Sequence, residues 1–159
     1  MKRGFGLLEI VIASAIVSIT LFSLSFVFVL SARLEAQSIS KVRANFLAEE
    51  GLEAMRFFRD KGWDANLGSL SAGINYYLSF ATTTADWSIG MPYPGFIDGF
   101  FSRRVTVEAV NRDSSDDIVT SGGVLDPNTK KINIEVSWSS YGATTTATLS
   151  TYLSDVFNN

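Results

Sequence analysis

The chain has 159 residues, 47% of them hydrophobic, a formal net charge of −3, and neither cysteine nor histidine. The absence of these two residue types excludes Cys/His zinc sites, Ser-His-Asp triads and thiol nucleophiles, and it means that the protein folds without disulfides. An acidic chain also lacks a general affinity for nucleic acid. We therefore expect a non-enzyme that needs no cofactor and has no nucleic-acid partner.

The first predicted element is a long apolar helix. No residue between Ile10 and Ala32 is charged, whereas Lys2 and Arg3 precede this run and Glu9 stands at its head. A helix of roughly 20 apolar residues spans a hydrocarbon core of about 30 Å. A carboxylate in such a helix costs about 2.5–3.5 kcal/mol on insertion scales, so it normally has a partner or a function. The sequence predicts a transmembrane helix over residues 5–32.

The residues around the start of this helix form a recognisable pattern. Gly4-Phe5, Glu9 and the apolar run, with basic residues before them, resemble the amino terminus of type IV prepilins and type II secretion pseudopilins. The resemblance implies that prepilin peptidase removes residues 1–4 as a leader, cutting between Gly4 and Phe5, and that Phe5 is then N-methylated. It also implies that Glu9 directs assembly. The chain departs from the family pattern in having Gly6 where threonine is usual and no proline near Phe26.

This resemblance implies a function as well as a processing site. The chain is expected to be a non-catalytic subunit of a type IV pilus or a type II secretion-like pseudopilus, similar to minor pilins. Its expected partners are prepilin peptidase, other pilin subunits, the inner-membrane assembly platform and, before assembly, membrane lipid. It is expected first as a single-pass cytoplasmic membrane protein with its carboxyl-terminal domain outside, then in an extracellular or periplasmic filament.

One alternative explains the apolar run without a filament. A membrane-tethered extracellular binding module would have the same anchor, but it would keep Met1 and tolerate replacement of Glu9. A secretory signal peptide fits less well, because its apolar core is roughly 7–15 residues long and a small-residue cleavage site follows it.

Residues 33–61 are predicted to continue the helix with an amphipathic pattern. They are rich in Ala, Leu, Glu, Arg and Lys, which favour helix. One face is predicted to be buried against a sheet, and Lys61-Gly62 is a typical helix end. The residues on that face are Leu47, Gly51, Ala54, Met55 and Phe58.

Residues 62–159 are predicted to form a β-sheet domain. Two short aromatic segments, 76–80 and 87–89, and three longer alternating segments are strand candidates. Asp126-Pro127-Asn128 is predicted to be a turn, and Ser140-Tyr141-Gly142 another. The expected fold is α+β, with the long amino-terminal helix packed on an antiparallel sheet, as the resemblance to pilins also implies. The longer strand candidates are 104–110, with Val105, Val107 and Ala109 inward; 131–138, with Ile132, Ile134, Val136 and Trp138 inward; and 146–153.

Two loop regions have a possible binding function beside a structural one. Asp113, Asp116 and Asp117 supply oxygen ligands of the kind that calcium prefers, although acidic loops are usually solvated turns. The segment 91–101 places aromatic residues beside Arg103 and Arg104. Such a combination can stack single-stranded DNA, but aromatic residues spaced by Gly and Pro more often fix a loop onto a sheet.

The membrane run also contains small polar residues. Their hydroxyls either mediate close approach between neighbouring helices or bond to the carbonyls of their own helix. These residues are Ser14, Ser18, Ser23 and Ser25.

Overall fold

A computed structural model describes residues 6–156 of the chain. It contains one long helix, one π-helical turn and six strands. The elements are α1 (Leu7–Lys61), the π-helical turn (Asp64–Gly68), β1 (Asn75–Ala81), β2 (Asp86–Gly90), β3 (Phe101–Arg112), β4 (Ile118–Val119), β5 (Val124–Ser140) and β6 (Ala143–Ser154).

Helix α1 ends where the sequence predicts. Gly62 follows its last residue with φ +140°, a backbone conformation that only glycine adopts readily. The chain divides into two compact units, with the boundary between Ser40 and Lys41. In the first unit, the described helix residues before Ser40 are all exposed.

In the second unit, one face of the helix is buried against the sheet. It carries the five residues predicted for it, of which Leu47 is only half-buried, and the face extends further toward the amino terminus. The buried residues are Ala44, Ala48, Gly51, Leu52, Ala54, Met55 and Phe58. The prediction of an amphipathic second half is confirmed.

The sheet is antiparallel throughout, with the strand order β2-β1-β3-β5-β6 and with β4 paired to β3. Strands β5 and β6 form a hairpin in which both turn residues, Tyr141 and Gly142, have positive φ, as a two-residue type I′ turn requires. The long helix packed on this antiparallel sheet confirms the predicted α+β fold.

The sheet and the helix lie close together at Gly51. A Cβ at this position would lie 3.0 Å from Ile134 Cγ2 and 3.1 Å from Arg103 Cδ. Both side chains are buried, so they have little room to move away. A side chain at this position would therefore crowd the contact between helix and sheet.

The predicted turn at Asp126-Pro127-Asn128 is wrong, because these residues lie inside the continuous strand β5. Asp126 Oδ1 does accept a bond from the Asn128 amide at 2.9 Å, which is turn chemistry. The local result is a bulge: Ala109 pairs with Lys130, but the next residue, Val110, pairs with Asp126. The extra residues of β5 bend the ladder without reversing the chain.

One inward residue of β3 is not covered by the core. Ala109 pairs with Lys130, whose Nζ donates to the Gly68 and Leu70 carbonyls, so Ala109 lies on the same face as Val107, as predicted. It is nevertheless exposed. The other inward predictions on β3 and β5 are confirmed.

Candidate functional site

The predicted site lies at the start of α1. Gly4 and Phe5 fall outside the described residues. Glu9 lies in the first turn of the helix, with an exposed side chain, and its amide donates to the Gly6 carbonyl at 3.0 Å. A carboxylate in the first turn is favoured by the helix dipole. Within residues 6–156, the Glu9 side chain has no ion-pair or hydrogen-bond partner.

Glu9 leads into a surface of exposed large hydrophobic side chains. The exposed fraction of Phe22 is 77%, that of Phe28 is 74%, and that of Phe26 is 65%. A continuous patch of large, exposed hydrophobic side chains is rare on a water-soluble surface, and it marks contact with another protein or with a membrane. Helix α1 is long and apolar enough to cross a membrane, and the apolar window that passes this test has no buried residue within the described chain.

The hydroxyl groups in this run bond to their own helix. Ser14 donates to the Val11 carbonyl, and Ser18, Ser23 and Ser25 each donate to the carbonyl four residues earlier, all at 2.8–2.9 Å. Thr20 bonds to the Val17 carbonyl in the same way. These bonds satisfy the hydroxyl donors without an outside partner. The run is therefore compatible with a hydrocarbon environment, and the chain with a single-pass membrane protein.

The two arginines after the aromatic segment, Arg103 and Arg104, are paired within the domain and are not available to bind a ligand. Arg103 is buried: its Nη1 donates to Glu50 Oε2 at 2.6 Å and to the Leu47 carbonyl at 3.0 Å. Its guanidinium carbon lies 5.2 Å from the centre of the Trp87 ring. Arg104 pairs with Glu135 at 2.7 Å. Both cations are committed to contacts within the domain.

The sequence analysis missed the role of Arg103. Its signal was available, because Arg103 has the same parity as Phe101, Val105 and Val107 on β3, and all of these side chains are buried. A charged residue on the inward face of a strand predicts a buried pair.

The aromatic segment itself is fixed onto the domain. Tyr93 stacks edge-on with Tyr77 at 5.3 Å and with Phe96 at 5.9 Å. Asp98 pairs with Arg43 of α1 at 2.6 Å. These contacts favour the structural interpretation of the segment over single-stranded DNA binding.

The three aspartates of the acidic loop do not converge on a metal site. Asp113 Oδ1 accepts the amides of Ser115 and Asp117 at 2.8 and 3.0 Å, and the Asp116 carboxylate lies 3.7 Å from Arg112. Among residues 6–156, no group of three or more His, Cys, Asp or Glu side chains is placed to hold a metal ion. The loop is an Asx turn closed by its own backbone.

Carboxylates on the sheet have shifted acidities. Hydrogen bonds from Lys131 and Asn133 hold the pKa of Glu108 below its usual range, with contact distances of 3.1 and 2.6 Å. Burial acts to raise the pKa of Asp126, but bonds from Arg112, Thr129 and the Asn128 amide outweigh it and lower the pKa. These groups stabilise the pairing of β3 with β5.

Comparison with known protein families, with curated proteins and with solved structures finds no match to this chain. The functional interpretation therefore rests on the residues and the geometry described above.

Proposed function

We propose that this chain is a non-catalytic structural subunit of a type IV pilus or a type II secretion-like pseudopilus, similar to minor pilins. The observation that carries the proposal is the exposed apolar helix headed by one carboxylate, Glu9, and preceded by Gly4-Phe5. An ordinary anchor has no need of that carboxylate, which weakens its insertion into lipid.

The first step of the proposal is processing at the membrane. Prepilin peptidase cuts between Gly4 and Phe5, which creates a new amino group on Phe5, and it then methylates that group. Glu9 becomes the fifth residue of the mature chain. The apolar helix holds the subunit in the cytoplasmic membrane with the sheet domain outside until the assembly platform extracts it.

The second step is packing of helices in the filament. Lipid is as apolar as these side chains, so the hydrophobic effect gives little preference for one helix register over another. A charge pair between Glu9 and the Phe5 amino group of a neighbour supplies that preference. At an effective dielectric near 20, two charges about 4 Å apart attract by about 4 kcal/mol before the desolvation cost is subtracted.

The satisfied hydroxyls support the same mechanism. Because Ser14, Ser18, Ser23 and Ser25 bond to their own helix, they do not compete for Glu9 or for the amino group. Among the described residues of the apolar run, Glu9 is then the polar side chain left to specify register.

The test is incorporation of Glu9→Val into sheared filaments, scored against its level in the membrane. Loss of the counter-charge leaves the neighbour's amino group unpaired in an apolar site, so we expect incorporation to fall at least about tenfold, equivalent to 1.4 kcal/mol. Membrane level should stay the same or rise, because a neutral residue inserts more easily. Glu35→Val, an exposed glutamate beyond the apolar run of the same helix, is the matched control.

Wild-type incorporation of Glu9→Val would contradict the pairing mechanism. A chain that reaches the membrane and never enters filaments, with or without Glu9, would favour the membrane-tethered binding module instead.

A further inference from the structure

The second unit has one end at which the chain enters it from the apolar helix, and we call it the entry end. Arg43 of α1 pairs there with Asp98 at 2.6 Å, and its guanidinium carbon lies 5.8 Å from the centre of the Phe101 ring. Phe101 is the first residue of β3 and pairs with Trp138 of β5. The turn between β5 and β6, at Tyr141, follows this pair and therefore lies at the same end of the sheet.

The entry end carries exposed aromatic side chains from two separate loops. The exposed fraction of Tyr141 is 64% and that of Phe96 is 63%, and Phe100 is exposed as well. Phe96 directly precedes Ile97, whose amide donates to the Phe101 carbonyl at 2.7 Å. Phe100 directly precedes Phe101 in the chain. Two segments that are distant in sequence therefore place aromatic rings at one end of the domain.

The opposite end of the same ladder has a different chemistry. Strand β3 ends there at Arg112, which pairs with Val124, roughly 35 Å from the entry end at about 3.4 Å per residue. The loop that follows carries three carboxylates, those of Asp113, Asp116 and Asp117. The domain is thus aromatic at the end where the chain enters and acidic at the far end.

A short tether joins the entry end to the apolar run. Only residues 33–42 separate Arg43 from Ala32, the last residue of the uncharged run. Ten residues of helix rise about 15 Å, and the headgroup region on each side of a bilayer is about 5–8 Å thick. Once the apolar helix is in a membrane, the tether therefore keeps the entry end within reach of the lipid surface.

The chemistry of the two ends favours contact of lipid with the entry end. Aromatic rings are enriched at the membrane–water interface, where an apolar ring and a hydrated hydroxyl are both accommodated. The tether adds Arg33 and Lys41, and basic residues beside a membrane helix attract anionic headgroups. The same headgroups repel the carboxylates of the far end.

We propose that Phe96, Phe100 and Tyr141 insert into the headgroup region of the membrane that holds the apolar helix, so that the sheet domain docks on lipid through its entry end. Three side chains give only weak binding by themselves. The tether makes it effective, because it keeps the local concentration of lipid surface high. The proposal rests on anchoring of the chain by the apolar helix, and not on assembly of a filament.

The test uses the full-length protein, which has no cysteine, with the fluorophore NBD attached to one introduced cysteine. Ser139→Cys reports on the entry end and Ser115→Cys on the far end; both are exposed serines. The protein is reconstituted at low density in vesicles of phosphatidylethanolamine and phosphatidylglycerol that contain a lipid with a nitroxide on its headgroup, which quenches nearby NBD. We expect quenching at Ser139→Cys to be at least about three times that at Ser115→Cys, since the positions lie roughly 35 Å apart along the ladder.

Removal of the rings separates docking from mere tethering. Tyr141→Asn together with Phe96→Ser should lower the quenching at Ser139→Cys at least about twofold, because the rings that hold this end in the interface are gone. Tyr141→Asn creates Asn-Gly, the dipeptide that a type I′ turn favours, so the hairpin is retained. Tyr141→Asn alone should lower the quenching in the same direction, and it decides the question if the double variant fails to fold.

Flotation of the same vesicles on a density gradient distinguishes the two possible failures. A chain that does not float with lipid would overturn the anchor and the docking together. Floating chains with equal quenching at both positions, or with quenching at Ser139→Cys that survives loss of the rings, would overturn the docking alone. A signal that rises with protein density at constant lipid would assign the entry end to contact with a second copy and would also overturn the proposal.

Discussion

Glu9 and Arg103 are both charged residues in apolar surroundings, but only Arg103 has its partners within the described chain. The Arg103 side chain is 4% exposed and is paired with Glu50, which is 50% exposed. Removal of one member of a buried pair leaves an uncompensated charge, whereas replacement of both with apolar groups can be neutral. Glu9, by contrast, has no such partner among residues 6–156; the proposed function assigns it one on another subunit.

We expect Glu50→Ala to lower the free energy of unfolding of the domain by about 1–2 kcal/mol. This is below the 3–5 kcal/mol typical of a fully buried pair, because water screens the half-exposed glutamate. Arg103→Met in the Glu50→Ala background should recover most of the loss, since the buried charge is removed while its packing is retained. Chemical denaturation of residues 33–159 measures both changes.

Glu49→Ala is the control for that cycle, as Glu49 is exposed on the same helix. A Glu50→Ala variant as stable as this control, or a double variant less stable than the single one, would show that the pair does not hold the helix to the sheet.

At the scale of elements, the ladder between β3 and β5 carries two carboxylates with lowered pKa, Glu108 and Asp126. Each favours its charged form in the folded state: Glu108 through Lys131 and Asn133, and Asp126 through Arg112 despite its burial. A carboxyl group whose pKa is lower in the folded than in the unfolded state stabilises the folded protein at a pH above the unfolded-state pKa. This stabilisation is lost as the pH falls through the folded-state pKa.

The domain should therefore unfold more easily in acid and show little change near neutrality. The ordinary pKa values of Glu108 and Asp126 are 4.5 and 3.8. We therefore expect the midpoint temperature of thermal unfolding to fall as the pH drops below about 4.5. Between about pH 6 and pH 8 it should be nearly constant, because the chain has no histidine. Thermal melts of residues 33–159 across this range, with Lys131→Met as a variant of reduced acid dependence, provide the measurement. A steep change near pH 6.5 would contradict this.

The same two strands show how far sequence patterns predict structure. Strict alternation predicted the inward side chains Val105, Val107, Ile132 and Ile134, since the period of two is decided locally. The bulge was not predicted, because Asp126-Pro127-Asn128 has turn chemistry, and only pairing with β3 determines whether the chain reverses. The π-helical turn Asp64–Gly68, which buries Leu67, was not predicted either, because its sequence matches no recognised pattern.

The candidate site was predicted in part. Sequence alone identified Glu9 and the apolar run, since a charge in such a run is visible without a structure. The parity of Arg103 on β3 indicates a buried charge, but its partners Glu50 and Leu47 lie more than fifty positions away, so local patterns do not identify them. The prediction about Gly4 and Phe5 concerns residues outside the described range.

At the scale of the whole molecule, the two units differ in whether their apolar side chains are covered. The apolar helix before Ser40 is exposed throughout its described part, whereas the second unit has its own core of helix and sheet side chains. A domain of this size buries enough surface to fold alone. We therefore expect the apolar helix before Ser40 to be dispensable for folding of the sheet domain.

We expect residues 33–159 to be soluble, folded and, at micromolar concentration, monomeric. Circular dichroism should show mixed α and β signals with one cooperative melt, and analytical ultracentrifugation should give the monomer mass. An aggregate, or a chain without a cooperative transition, would show that the core depends on the apolar helix.

The most direct test of the central claim is the mass of the amino-terminal peptide of this protein, isolated from membranes of cells that contain a prepilin peptidase. The proposed function predicts that the peptide begins at Phe5 and carries one N-methyl group, and that a peptidase-deficient strain retains Met1–Gly4. Gly4→Val should block the cleavage by crowding the scissile bond, whereas Glu9→Gln should leave it intact. An amino terminus that still contains Met1-Lys2-Arg3 when the peptidase is active would contradict the assignment of this chain as a prepilin.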